Sequence, residues 1–112
     1  MTGYSSDKAN AAARLIWSLW RAGETCDALP DACRPHTSAE AYAAQAQLPS
    51  IAGREVLGWK IAATSLAGQA HIQVSGPLAG RLLSGQVTGD GATLSLAGNR
   101  MRVAEPEFCF RM

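Results

Sequence analysis

The chain has 112 residues, 10 basic and 9 acidic side chains, and a formal net charge of +1. It is therefore expected to fold as one domain, and it lacks the cationic field that nucleic acid or an anionic membrane attracts. Hydrophobic residues make up 47%, but no run nears the roughly 18 apolar residues a bilayer span requires.

The first predicted element is a helix from Asp7 to Ala22, where Ala9, Ala12, Ala13, Ile16, Leu19 and Trp20 recur at three- and four-residue steps. Ser5 or Ser6 is placed to cap its start and Gly23 to end it. Trp17 widens the apolar stripe, and both tryptophans read as core or packing residues. Pro30 and Pro35 interrupt the connector that follows. Thr37 and Glu40 have capping-box spacing, which predicts a second helix over Ala39–Gln47 that stops before Pro49. His36, beside that cap, reads as a loop residue.

Beyond Gly53 the period changes. Val56 to Thr64 reads as a mostly apolar strand with Lys60 its single charge. Ser65 to Gln69 suits a short helical turn, Gly76-Pro77 a sharp bend, and Leu78 to Leu83 a brief apolar stretch. Ala92 to Leu96 and Met101 to Phe110, joined by the turn Ala97-Gly98-Asn99-Arg100, predict a hairpin. The expectation is an α+β fold: N-terminal helices over 1–53, packed on an incomplete, mainly antiparallel sheet over 54–112.

The N-terminal Met1-Thr2-Gly3-Tyr4-Ser5-Ser6-Asp7-Lys8 has no basic region followed by an apolar block, so a cytoplasmic protein without a signal peptide is expected. Cys26, Cys33 and Cys109 lack metal-type spacing and read as reduced thiols, although a Cys26–Cys33 bridge would be open to an oxidising compartment.

Chemistry concentrates at Glu105-Pro106-Glu107. On a strand, positions i and i+2 project to one side, and two carboxylates held together call for a positive charge between them. A hard divalent cation answers that demand; a solvated Glu-x-Glu face is the alternative the spacing leaves open. Lys60 within its apolar strand is either an edge or solvent-facing residue, or a buried cation serving an anionic ligand. His71, near Gln69 and Gln73, reads as a surface residue. The glycines at 85, 89 and 91 match no phosphate-binding template, and no nucleophile elbow or zinc motif occurs.

In order, Gly58-Trp59-Lys60-Ile61-Ala62-Ala63-Thr64-Ser65, Gln69, Gly76-Pro77-Leu78-Ala79-Gly80 and Ala104-Glu105-Pro106-Glu107-Phe108 resemble the 2-keto-4-pentenoate hydratase and 2-oxo-hept-4-ene-dioate hydratase group. That group includes oxalocrotonate decarboxylases and falls in the fumarylacetoacetate hydrolase superfamily. Thr37, Ala41-Tyr42 and Gln45 look like the segment that precedes the GWK strand there, so the likeness runs from about residue 10 to 112.

The resemblance implies a Mg²⁺ or Mn²⁺ ion held by Glu105, Glu107 and a third acid that this chain does not supply. It implies a 2-oxo acid chelated through its carboxylate and 2-oxo oxygens, with Lys60 as the catalytic and substrate-binding lysine and Thr64 and Ser65 beside it. The implied reaction is hydration of a dienol to a 4-hydroxy-2-oxo acid in aromatic-compound degradation, or loss of CO₂ from a related acid.

Two departures stand out. Ser75 occupies a position where the group commonly has an acid, and group members are considerably longer. A missing C-terminal half, or homo-oligomerisation through exposed sheet edges, is therefore expected, with little activity from these residues alone. The rival reading is a non-catalytic interaction module. Carbon–carbon hydrolysis, a third reading, fits the GWK segment less well.

Overall fold

The computed structural model describes residues 3–112. Helix α1 (Ser6–Ala22) begins where Ser5, in extended conformation, accepts the Lys8 amide, and ends where Gly23 turns left-handed at φ 67° and donates to the Leu19 and Trp20 carbonyls. Glycine suits that end because a Cβ would strain the positive φ. The predicted capping box starts α2 (Ser38–Gln45): the Glu40 amide donates to Thr37 Oγ1 at 3.2 Å and the Thr37 amide to Glu40 Oε2 at 3.3 Å. Removing the Thr37 hydroxyl by Thr37→Ala is expected to lower the unfolding free energy by about 1 kcal/mol, read by urea titration.

Pro49 does not simply terminate that helix. It lies in the first turn of α3 (Leu48–Ala52), where a missing amide hydrogen costs nothing. The helix expected over Ala39–Gln47 forms as α2, ending at Gln45, and α3 is an additional short helix beyond it.

The helical core is small. Ala9, Ala12, Cys33 and Ala44 are buried together, flanked by Tyr4 and Leu29. Alanines let α1 and α2 approach closely but bury little area per residue. The Tyr4 hydroxyl donates to the Cys33 carbonyl at 3.0 Å; burial, with smaller contributions from Cys33 and Glu40, raises its pKa above the usual tyrosine value. All three cysteines are free thiols.

Of the core and packing roles expected for Trp17 and Trp20, the structure shows packing outside this core. Their rings meet edge-on at 5.9 Å, Arg54 lies over Trp17 at 5.3 Å, and Trp20 stays 56% exposed. The narrow alanine seam between the helices leaves no room for an indole.

Strand β1 (Val56–Ala62) pairs antiparallel with β2 (Leu78–Leu83), with α4 (Leu66–His71) between them in sequence. The apolar stretch at 78–83 is therefore a strand. Lys60 faces Gly80, Trp59 faces Arg81 and Ile61 faces Ala79, with a register shift between Val56 and Gly58. The fold is α+β, and its two-stranded sheet is open.

Helix α2 seats β2: Ala79 donates its amide to the Tyr42 hydroxyl at 3.0 Å and accepts from Gln45 Nε2 at 3.1 Å. Arg81 extends the junction, donating to Gln45 Oε1 at 2.8 Å and stacking 4.6 Å from the centre of the Trp59 ring. Leu83, 1% exposed, is the largest fully buried side chain. Leu83→Ala is expected to cost about 2 kcal/mol or more, by loss of transfer energy and the cavity left behind.

The hairpin predicted over Ala92–Leu96 and Met101–Phe110 does not form; both segments are irregular or extended without ladder bonds. The turn exists, with Asn99 donating to the Leu96 carbonyl at 3.0 Å. Gly98 at φ 78° and Arg102 at φ 49° then redirect the chain instead of returning it alongside 92–96. β-propensity reports fit to a half-buried pleated surface, and Leu94, Leu96 and Val103, each more than half exposed, find none.

Candidate functional site

Strand β1 fixes Lys60. Along it the more covered positions are Gly58, Lys60 and Ala62, while Leu57, Trp59 and Ile61 are exposed. The strand alternation therefore sets Lys60 apart from its two apolar neighbours, as the sequence requires.

Lys60 Nζ donates to Glu107 Oε1, across 47 residues, and lies 3.5 Å from Glu105 Oε2. It also reaches the Ile61 carbonyl at 3.4 Å. Glu105 and Glu107 belong to a segment that forms no strand, so ladder pairing is not what orients them. Both carboxylates nonetheless lie within reach of Lys60 Nζ. The positive charge that the carboxylate pair demands is thus present within the chain, as the Lys60 ammonium.

The side chains remain accessible: 40% for Lys60, 64% for Glu105 and 42% for Glu107. In water the mutual attraction is screened, so these bridges contribute little to stability. The Lys60 pKa is raised, chiefly by its hydrogen bond to Glu107. Partial desolvation opposes this, and the charges of Glu107 and Glu105 reinforce it.

The linkage follows. A lysine whose folded pKa exceeds 10.5 contributes fully below that value and loses its contribution as pH rises through the folded pKa. The segment around Glu107 is therefore expected to stay docked through neutral pH and to detach in strong alkali. Loss of the nuclear Overhauser contacts between the Lys60 and Glu107 side chains would register this.

The chain turns sharply after β1. Ala63 takes φ 55°, its carbonyl accepts from Gln69 Nε2 at 3.0 Å, and Ser65 caps α4 by accepting the Gly68 amide at 3.1 Å. Thr64 is exposed at this turn. A left-handed alanine costs of order 1 kcal/mol and persists only where surrounding bonds impose it; the Gln69 and Ser65 bonds do so here. Ser65 keeps its hydroxyl hydrogen available to a ligand, since its bond to Gly68 uses only oxygen lone pairs.

His36 is an exposed loop residue whose amide donates to Glu40 Oε2 at 2.6 Å, and His71 is the exposed last residue of α4. Among the described residues, no group of three or more His, Cys, Asp or Glu side chains is placed to hold a metal ion. The donors at the cluster are two hard carboxylates, a chemistry that fits Mg²⁺ or Mn²⁺ but fills only part of an octahedral shell.

Sequence reasoning missed the Tyr42 and Gln45 bonds to Ala79 and the stacking of Arg81 on Trp59. A sheet-edge contact from a helix side chain leaves no periodic signal. Among the described residues, no helix is long and apolar enough to cross a membrane.

No family model, curated protein or solved structure matches this chain.

Proposed function

We propose that this chain contributes Lys60, Glu105 and Glu107, with Thr64 and Ser65 alongside, to a divalent-metal-dependent site for 2-oxo and 2-hydroxydienoic acids. The reading is that of a 2-keto-4-pentenoate hydratase-like lyase. The observation that supports it is the meeting of Lys60 with both glutamates over a long stretch of sequence. Lysine and a Glu-x-Glu pair in one cluster is the combination that the resemblance calls for.

Glu105 and Glu107 would hold the Mg²⁺ or Mn²⁺. When bound, that ion would act as a Lewis acid toward the oxygens of a 2-oxo acid. Lys60, relieved of its carboxylate partners, then offers an ammonium to the substrate's carboxylate or a proton to the dienol carbon chain. Thr64 and Ser65 offer hydroxyl hydrogens at the turn beside it. A third acidic ligand would be needed to complete the set. Decarboxylation of a related acid draws on the same charge stabilisation.

A non-catalytic interaction module is the second reading, favoured by the 64% exposure of the Glu105 side chain. Calorimetric titration with oxalate, a 2-oxo acid analogue, separates the two. The site reading expects oxalate to bind in the presence of Mn²⁺ and not in its absence. Metal-independent binding, or none with saturating Mn²⁺, leaves the module.

A further inference from the structure

The hydrogen bonds of Ala79 locate a free sheet edge on the opposite strand. Both its amide and its carbonyl bond to α2, through Tyr42 and Gln45, so both point away from β1. In an antiparallel pair, residues directly opposite either bond each other or both turn outward. Ile61, opposite Ala79, and Trp59, opposite Arg81, therefore turn their backbone groups to the outer side of β1. Among the described residues no backbone group from outside the sheet bonds them. A side chain does reach it: Lys60 Nζ, which also holds Glu105 and Glu107 of the same molecule, donates to the Ile61 carbonyl. Thus α2 protects the edge of β2, whereas the edge of β1 is open.

That edge is also apolar. Leu57, Trp59 and Ile61 are 56%, 52% and 46% exposed. An unpaired strand edge flanked by exposed apolar side chains is a template for another strand. The chain carries a matching one. Val103 to Phe110 lies in no helix or strand, has no ladder partner, and leaves Phe108 and Phe110 97% and 87% exposed. Its two glutamates complement Lys60 in charge, and Lys60 already selects them within one molecule. A β1 edge meeting a second β1 edge would instead set lysine near lysine.

We infer that the open edge of β1 accepts the Val103–Phe110 segment of a second copy of this chain, in a reciprocal dimer. The segment adds as a third strand, its backbone pairs with Trp59 and Ile61, and its glutamates meet the partner's ammonium. Phe108 and Phe110 cover apolar surface that each molecule alone leaves in water. The inference needs neither metal nor 2-oxo acid, so it stands or falls separately from the proposed function.

Charge exchange between copies tests it without either ligand. Wild-type chain is expected to dimerise with concentration in sedimentation equilibrium, with slowed amide exchange at Trp59 and Ile61 only in the dimer. Lys60→Glu alone, and the pair Glu105→Lys with Glu107→Lys in one chain, are each expected to raise the dissociation constant at least about tenfold, by setting like charges together. Mixing the two variants restores complementary charges between chains and should restore the dimer. A wild-type chain monomeric at all concentrations overturns the inference, as does a dimer indifferent to both variants. Variants that stay monomeric after mixing would assign the segment to its own molecule's edge and also overturn it.

Discussion

Neutralising both carboxylates, Glu105→Gln with Glu107→Gln, is expected to weaken Mn²⁺ binding by about 100-fold or more. Losing even an outer-shell partner of a metal ligand commonly costs 10- to 100-fold, and here the substitutions remove the charged oxygens themselves. The fold should survive. Both residues lie in an exposed segment without ladder bonds, and the salt bridges they form are solvent-accessible. Urea midpoints of the wild type and the double variant should therefore agree closely, while their Mn²⁺ isotherms differ. A parallel loss of stability would mean that the carboxylates act structurally.

Lys60→Met is expected to have two opposed effects. Without the ammonium the glutamates lose an internal competitor, and Mn²⁺ affinity rises about fivefold, the worth of a unit charge near 4 Å in a water-like medium. Oxalate affinity of the Mn²⁺-loaded chain should fall, because the substrate's carboxylate loses its cationic partner. A catalytic lysine adds a proton-transfer contribution of about 10²- to 10⁴-fold, so turnover in any assembly that completes the site should drop far more than binding. Arginine at this position would keep the charge without the compact, titratable ammonium, and is expected to restore oxalate binding but not turnover.

The helical half of the fold was legible because its signals are local. Ser5, Gly23, Thr37 and Glu40 act within one turn of where they stand, and each does what its spacing predicts. Strand β1 was legible for the same reason, through a run of apolar residues that alternate about Lys60. The C-terminal hairpin was misread because a strand is made by its partner. Ala92–Leu96 alternates well enough, yet the left-handed Arg102 and the absence of a covering apolar surface keep Met101–Phe110 from pairing with it.

The same limit applied to the site. Glu105 and Glu107 could be marked as a pair needing a cation, but nothing local in the sequence says that a lysine more than forty residues earlier supplies it. The puzzle was posed correctly by the residue types, and its answer depended on tertiary structure. The Arg81–Trp59 stack and the bonds from α2 to Ala79 belong to that same long-range class.

On the proposed reading, Lys60 and a divalent cation would contend for one pair of carboxylates. Electron paramagnetic resonance titration with Mn²⁺ on wild-type, Lys60→Met and Glu107→Gln chains tests it most directly. Saturable binding is expected of the wild type, tighter binding of Lys60→Met and weaker binding of Glu107→Gln. Absence of saturable binding in the wild type, or a shift in the same direction for both variants, would contradict it.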